Sequence, residues 1–189
     1  MKAQTARIQK VHDDLEKELE DWNTEEIHEY FNQGYPSYWL AYDIDTLVRH
    51  AKLMKAANHD KAELTINTLI DSERGITEVI VYTADHPGLF SRIAGALAFA
   101  GANVVDAKIT TMRNGMALDS FWVQDANGNG VEETARLANA IGETLSGELQ
   151  LSQLLAAKPN KLPKRAQAMN VPRRVLIDNK ASSTHTVIE

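Results

Sequence analysis

Eight consecutive residues, Thr83-Ala84-Asp85-His86-Pro87-Gly88-Leu89-Phe90, have the types and spacing from which a small-molecule site can be built. A run rich in Val, Ile and Thr (Thr77 to Thr83) enters this stretch. An apolar pattern at helical spacing (Leu89, Phe90, Ile93, Leu97, Ala100) leaves it. A strand that turns abruptly into a helix leaves N–H groups of the first helical turn without partners, and the helix dipole favours a carboxylate there. Asp85 is expected to cap this helix through its side chain. Pro87 suits the first turn because it has no N–H to leave unpaired. Gly88 permits close approach of a ligand or another backbone. A well-capped turn needs all of these features as much as a pocket does, so the surrounding sequence has to decide.

Other chemistries find little support. The six histidines (His12, His28, His50, His59, His86, His185) show no pair at metal-ligand spacing. His12-Asp13 is an HD dipeptide on an amphipathic helix and is expected to be solvated surface. The chain has no cysteine, which removes disulfides, thiolate catalysis and Cys-ligated zinc and fits a reducing, cytoplasmic setting. A net charge of −6 argues against nucleic acid as a partner. No apolar run approaches a membrane span, and the charged start lacks the apolar segment of a signal peptide.

The elements that must position the turn can be read from periodicity. Ile8, Val11, Leu15, Leu19 and Trp22 form one stripe of a helix over about 5–21. Thr24 is the expected N-cap of a second helix through Phe31, which Gly34-Tyr35-Pro36 breaks. Asp43 starts a third, ending at Asn58-His59-Asp60. The aromatics of this region are expected to form the core of a small helical unit. From Leu64 to Ile70 the period becomes that of a strand, and Thr77 to Thr83 is a second strand pairing with it. A helix over Gly88–Ala100 stops at Gly101. Asn103–Met112 and Met116–Gln124 flank Arg113-Asn114-Gly115, a hairpin signal. A long helix is expected from Val131 to Leu155, weakened by Gly142 and Gly147. A basic, proline-punctuated linker follows, with six Lys or Arg and no acid between Ala156 and Ile177. Val175-Leu176-Ile177 reads as a short strand, and Thr186 to Glu189 begins another.

From Ile76 the order is strand, helix, strand, strand, helix, strand. This predicts an α+β fold with a ferredoxin-like βαββαβ arrangement, preceded by a helical segment and a β-strand. Its helices would cover one sheet face and leave the other free to pack on a partner. Within it Asp119 is a puzzle. Alternation places it with Phe121 and Val123 on a face that should be buried, so a strand end or a pairing partner is expected.

Thr77 to Phe90, and Gly101-Ala102-Asn103-Val104-Val105-Asp106-Ala107-Lys108-Ile109, resemble the opening of an ACT domain, a module that usually senses amino acids. Three further stretches, Asp119 to Val123, Val175 to Ser182 and Thr186 to Glu189, are similar to the C-terminal half of the bifunctional PII uridylyltransferase/uridylyl-removing enzyme family. Trp39-Leu40-Ala41-Tyr42-Asp43 suits that family's connector between hydrolase and ACT domains. The resemblance implies a helical connector over 1–60, an ACT domain over 61–183 with its basic linker at 156–174, and the first strand of a second ACT domain at 184–189. In that family a nucleotidyltransferase domain attaches UMP to the PII signalling protein, and a metal-dependent HD-type domain removes it. The ACT domains are associated with glutamine sensing. Neither catalytic signature is present here, so the expectation is a catalytically inactive regulatory fragment without a cofactor, Mg²⁺ belonging to the parent enzyme.

By the same resemblance, Thr83, Asp85, Pro87, Gly88 and Leu89 on the turn, with Asn103 and Asp106 on the second strand of an adjacent ACT copy, would form the amino-acid site. Asp85 would pair with an α-ammonium, N–H groups near Gly88 and Leu89 would hold an α-carboxylate, and Asn103 would offer a donor and an acceptor. The expected partners are glutamine or a similar amino acid, PII through the parent enzyme, and a second copy through ACT–ACT pairing. A ligand-free ACT interaction module, or an ACT domain of another amino-acid metabolic enzyme, are the alternatives.

Overall fold

The computed structural model describes residues 2–150 together with Ile177–Asp178 and Val187–Ile188. The chain divides into two compact units, Met1–Leu155 and Ala156–Glu189. The first holds α1 (Lys2–Glu18), α2 (Thr24–Gln33), α3 (Pro36–Ala41), α4 (Ile44–Asp60), β1 (Leu64–Asp71), β2 (Ile76–Ala84), α5 (Leu89–Phe99), β3 (Asn103–Lys108), β4 (Met116–Gln124) and α6 (Thr134–Ser146). In the second, the described residues are two short antiparallel strands, β5 (Ile177–Asp178) and β6 (Val187–Ile188).

The fold is α+β, as the sequence predicts. Its main sheet is antiparallel with the order β1-β2-β4-β3. β1 lies beside β2, the place a βαββαβ chain gives its last strand. Ile177, which the sequence assigns to that last strand, pairs instead with Ile188 in the two-stranded sheet. The basic linker 156–174 lies outside the described residues.

Both faces of the sheet are covered, contrary to the expectation of a free face. Val79, Val81, Ala117, Phe121 and Val123 pack under α5 and α6 with Ile93, Leu97, Leu137 and Ile141. Ile80, Tyr82 and Leu118 face the other way, into Leu15, Tyr38, Trp39, Leu47 and Met54 of the helical segment. The sign of this was in β2 itself. Val79-Ile80-Val81-Tyr82 is an unbroken apolar run, each residue at most 1% exposed, which suits a strand buried on both sides rather than one with a wet face. The aromatics do form the helical core, except for Tyr35, which is exposed.

Local corrections follow from capping chemistry. The cap of α2 is Asn23, not Thr24. Glu26 N donates to Asn23 Oδ1 at 3.0 Å and Asn23 N donates to Glu26 Oε2 at 3.0 Å, a reciprocal capping box. Pro36 opens α3 at its first turn as well as ending the chain's previous helix. α6 stops at Ser146, because Gly147 takes φ 88° as its C-cap; residues 151–155 of the expected longer helix lie outside the described residues. Asp43 caps α4 as expected, accepting from Thr46 N at 2.8 Å. Gly101 ends α5 with φ 84°, and Ala102 N donates back to Leu97 O at 3.0 Å.

Candidate functional site

The turn after β2 is exposed from Ala84 to Gly88, while Leu89 is buried and anchors α5 in the core. Asp85 does not cap the helix. Gly88 occupies the N-cap position with φ 85°, a left-handed conformation that suits glycine, and no side chain caps α5. Pro87 lies in the turn ahead of Gly88 rather than in the first helical turn. Leu89 N donates to His86 O at 3.2 Å, and Ser91 Oγ donates to Gly88 O at 2.8 Å. The turn is thus closed partly on itself.

Asp85 is held from the side by the arm that joins β3 to β4. Its N–H donates to Gly115 O at 3.2 Å, and its Oδ2 accepts from Thr111 Oγ1 at 2.6 Å. Beneath it lies Asp119, in the interior of β4 rather than at a strand end, opposite Val81 and 1% exposed. Asp119 Oδ1 accepts from Thr110 N at 3.2 Å. Burial pushes the Asp119 carboxyl up to about 6, and the charge of Asp85 pushes it in the same direction, against the Thr110 hydrogen bond. Adjacent residues, Thr110 and Thr111, therefore each hold one of two carboxylates at the corner. Such a pair repels itself and attracts an ammonium group.

The remaining predicted residues fall elsewhere. Thr83 is beside the turn, its Oγ1 donating to Glu63 O at 2.8 Å. Asn103 opens β3 opposite Gln124, whereas the turn end of β2 lies opposite Met116. The two ends are separated by the length of β4, about 26 Å at the usual strand rise. Asn103 Nδ2 donates to Asp125 O at 3.2 Å. Asp106 is exposed at a bulge, its Oδ1 accepting from Ala107 N at 2.8 Å. Within one copy, then, Thr83, Asp85, Pro87, Gly88 and Leu89 come together, and Asn103 and Asp106 do not join them. A cavity of about 690 Å³ opens at the Asn103 end of the sheet, between Gly75, Gly101, Asp125, Asn129 and Arg136.

Residues that the sequence treated only as a hairpin turn attach this corner to the helical segment. Arg113 N donates to Gln33 O at 2.9 Å and Arg113 Nε to Gly34 O at 3.3 Å, with the guanidinium 4.4 Å over the Tyr35 ring. Asn114 Nδ2 donates to Gln33 Oε1 at 3.3 Å and to Tyr82 Oη at 3.0 Å, while its Oδ1 accepts from Met116 N at 3.1 Å. The Asn-Gly signal located the tip; nothing in it announced the docking.

His12 is a further correction. It is not solvated surface: its ring stacks on Phe31 with centroids 3.8 Å apart and meets Trp39 edge-on at 4.8 Å. Burial pushes its pKa down. Among the described residues no group of three or more His, Asp or Glu side chains could hold a metal ion.

The sheet order, the helix pair on one face and the strand–turn–helix corner define an ACT-like α+β module, here with a helical layer on its other face. No protein-family model matches the chain. Curated proteins do. The chain is 44% identical over 190 residues to the bifunctional uridylyltransferase/uridylyl-removing enzyme of Rhodospirillum rubrum, covering 99% of this chain and 20% of that enzyme. It is 49% identical over 187 residues to the enzyme of that name from Azospirillum brasilense, covering 97% and 20%. To that of Gluconobacter oxydans it is 47% identical over 167 residues, covering 86% and 18%. The chain spans about a fifth of the length of the curated relatives it matches. Its sequence is that of a segment of the bifunctional uridylyltransferase/uridylyl-removing enzyme family.

Proposed function

We propose that this region senses an amino acid, glutamine by the family resemblance, and so regulates the transfer of uridylyl groups to, and their removal from, the PII signalling protein by the enzyme of which it is a segment. The observation that carries the reading is the corner itself. An exposed strand-to-helix turn presents a helix start without a side-chain cap, beside the exposed carboxylate of Asp85. An α-carboxylate suits the former and an α-ammonium the latter. Thr83, Pro87, Gly88 and Leu89 shape the turn, and Asn103 and Asp106 of a second copy would close the site. The exposed apolar side chains Val104, Val105 and Ile109 on the β3 edge support such a second copy. No helix among the described residues is long and apolar enough to cross a membrane, and the setting we propose is the cytoplasm. The segment by itself carries out neither transfer nor removal.

A titration of the chain with glutamine, followed by calorimetry and by amide NMR, tests this. Saturable shifts at Asp85, Gly88 and Asn103, absent with glutamate, are expected. No shift at millimolar glutamine would sink direct sensing. A second reading, a ligand-free interaction module, is favoured by one observation: Asp85 already has Thr111 as a partner and Leu89 N–H already has His86 O. Turnover of PII and UTP by the purified chain would refute its assignment as regulatory alone.

A further inference from the structure

We infer that the tip of the β3–β4 arm, Arg113-Asn114-Gly115, couples the Asp85 turn to the α2–α3 junction at Gln33-Gly34-Tyr35, so that the helical segment responds to the state of the turn. As a statement of regulation this deepens the sensing reading and rests on it; as a statement of mechanical coupling it does not need the ligand.

The path is continuous in hydrogen bonds and hard contacts. At one end Thr111 Oγ1 and Gly115 O engage the side chain and the N–H of Asp85, at 2.6 and 3.2 Å. A ligand ammonium arriving at Asp85 would share with Thr111 the carboxylate whose Oδ2 that hydroxyl now holds, and would draw the carboxylate toward itself. At the other end the backbone and side chains of Arg113 and Asn114 hold Gln33 O, Gly34 O and Gln33 Oε1. The junction they grip has no slack. A Cβ placed on Gly34 would lie 2.5 Å from Trp39 Cε2 and Cζ2 and 2.8 Å from Nε1. The indole therefore rests directly on the Gly34 backbone, and a displacement of that backbone must move the ring. Trp39 in turn meets Tyr30, Tyr38 and His12 edge-on, at 5.1, 4.8 and 4.8 Å between centroids. A shift at the tip thus enters the centre of the helical core.

Two substitutions measure it. Thr111→Val removes the hydroxyl that holds Asp85 while keeping the side chain's shape. Asn114→Asp keeps the oxygen that accepts from Met116 N and removes the donation to Gln33 Oε1, while Tyr82 Oη can donate to the new carboxylate in place of accepting. The readouts are the Asp85 amide and the Trp39 indole N–H resonances of the chain without ligand. Thr111→Val is expected to shift both. In the Asn114→Asp background it is expected to shift the Asp85 amide fully and the Trp39 indole less, since the Arg113 bonds to Gln33 O and Gly34 O remain. A Trp39 resonance that ignores Thr111→Val, or that responds equally with and without Asn114→Asp, overturns the inference. If Asn114→Asp loosens the fold, judged by amide dispersion, Gln33→Ala, which removes only the Asn114 acceptor on α2, replaces it. Glutamine separates the two proposals. Shifts at Asp85 and Trp39 support both. A shift at Asp85 alone leaves sensing intact and overturns the relay. A shift at neither sinks sensing, while the ligand-free arm still decides the coupling.

Discussion

Ser120 Oγ of β4 lies 3.4 Å from His50 Nε2 of α4, a polar contact buried between the helical segment and the sheet. The proton positions follow by elimination. Tyr30 donates to Leu47 O at 2.9 Å, so Tyr38 donates to Tyr30 across 2.7 Å. His50 Nδ1 must then carry the proton shared with Tyr38 at 3.1 Å, leaving Nε2 to accept from Ser120. Of these bonds, the one that Nε2 accepts from Ser120 requires a neutral imidazole.

Burial pushes His50 down to about 3, helped by the nearby Arg49 and Lys108 charges. The unfolded chain takes up a proton near pH 6.5 that the folded chain refuses until far lower, so stability falls as pH drops below about 6.5. At pH 5 the loss from this residue is about 2 kcal/mol, at about 1.4 kcal/mol per pH unit. Urea unfolding of His50→Asn between pH 7 and 5 is expected to lack that part of the slope. An unchanged slope would mean that His50 is charged in the folded chain.

Asp119 acts in the opposite sense. Its folded pKa is raised to about 6, so the folded chain holds a proton that the unfolded chain has lost. Its contribution to stability is full below about pH 4 and is lost as pH rises through about 6. Asp119→Asn keeps the acceptor for Thr110 N and removes the buried charge. It is expected to stabilise the chain by up to about 3 kcal/mol at pH 8 and by little at pH 4. Melting temperatures at the two pH values check this; equal effects at both would show that charge is not the cause.

Gly34 is required by contact rather than by conformation, since its φ of −83° is open to any residue. Gly34→Ala is expected to cost about 1–3 kcal/mol from the clash with the Trp39 ring. The same substitution in a Trp39→Phe background, where the indole atoms nearest the new methyl are gone, is expected to cost less. Denaturant titration of the four chains gives the coupling energy directly.

The β3 edge supplies a test of pairing between copies. Val105 and Ile109 are each about half exposed, at 52% and 51%, and a strand edge with such side chains recruits partners. Sedimentation of the wild-type chain at increasing concentration is expected to show a mass above the monomer, which Val105→Lys with Ile109→Lys reduces. A wild-type chain that stays monomeric at high concentration counts against the paired site.

Local chemistry was legible in the residues themselves. The apolar periods gave α1, α4, α5 and the strands, Asp43 and Gly101 marked helix ends, and the Thr83–Phe90 turn stood out as a corner. These features depend on near neighbours in sequence, which propensity, capping and alternation report. What lay outside that reach was set by contacts between distant residues. The pairing of β1 with β2 was legible in the two strand patterns; only tertiary structure decided that this pairing takes the place of the sheet's last strand and that the helical segment covers its second face. It also gave Asp85 to Thr111 instead of the helix, and kept Asn103 at the far end of the sheet from the turn. A carboxylate can satisfy itself on a local N–H or on a distant hydroxyl, and an apolar strand face can be covered by its own chain or by another. The sequence lists the groups that must be satisfied; the packed chain selects which partner reaches them.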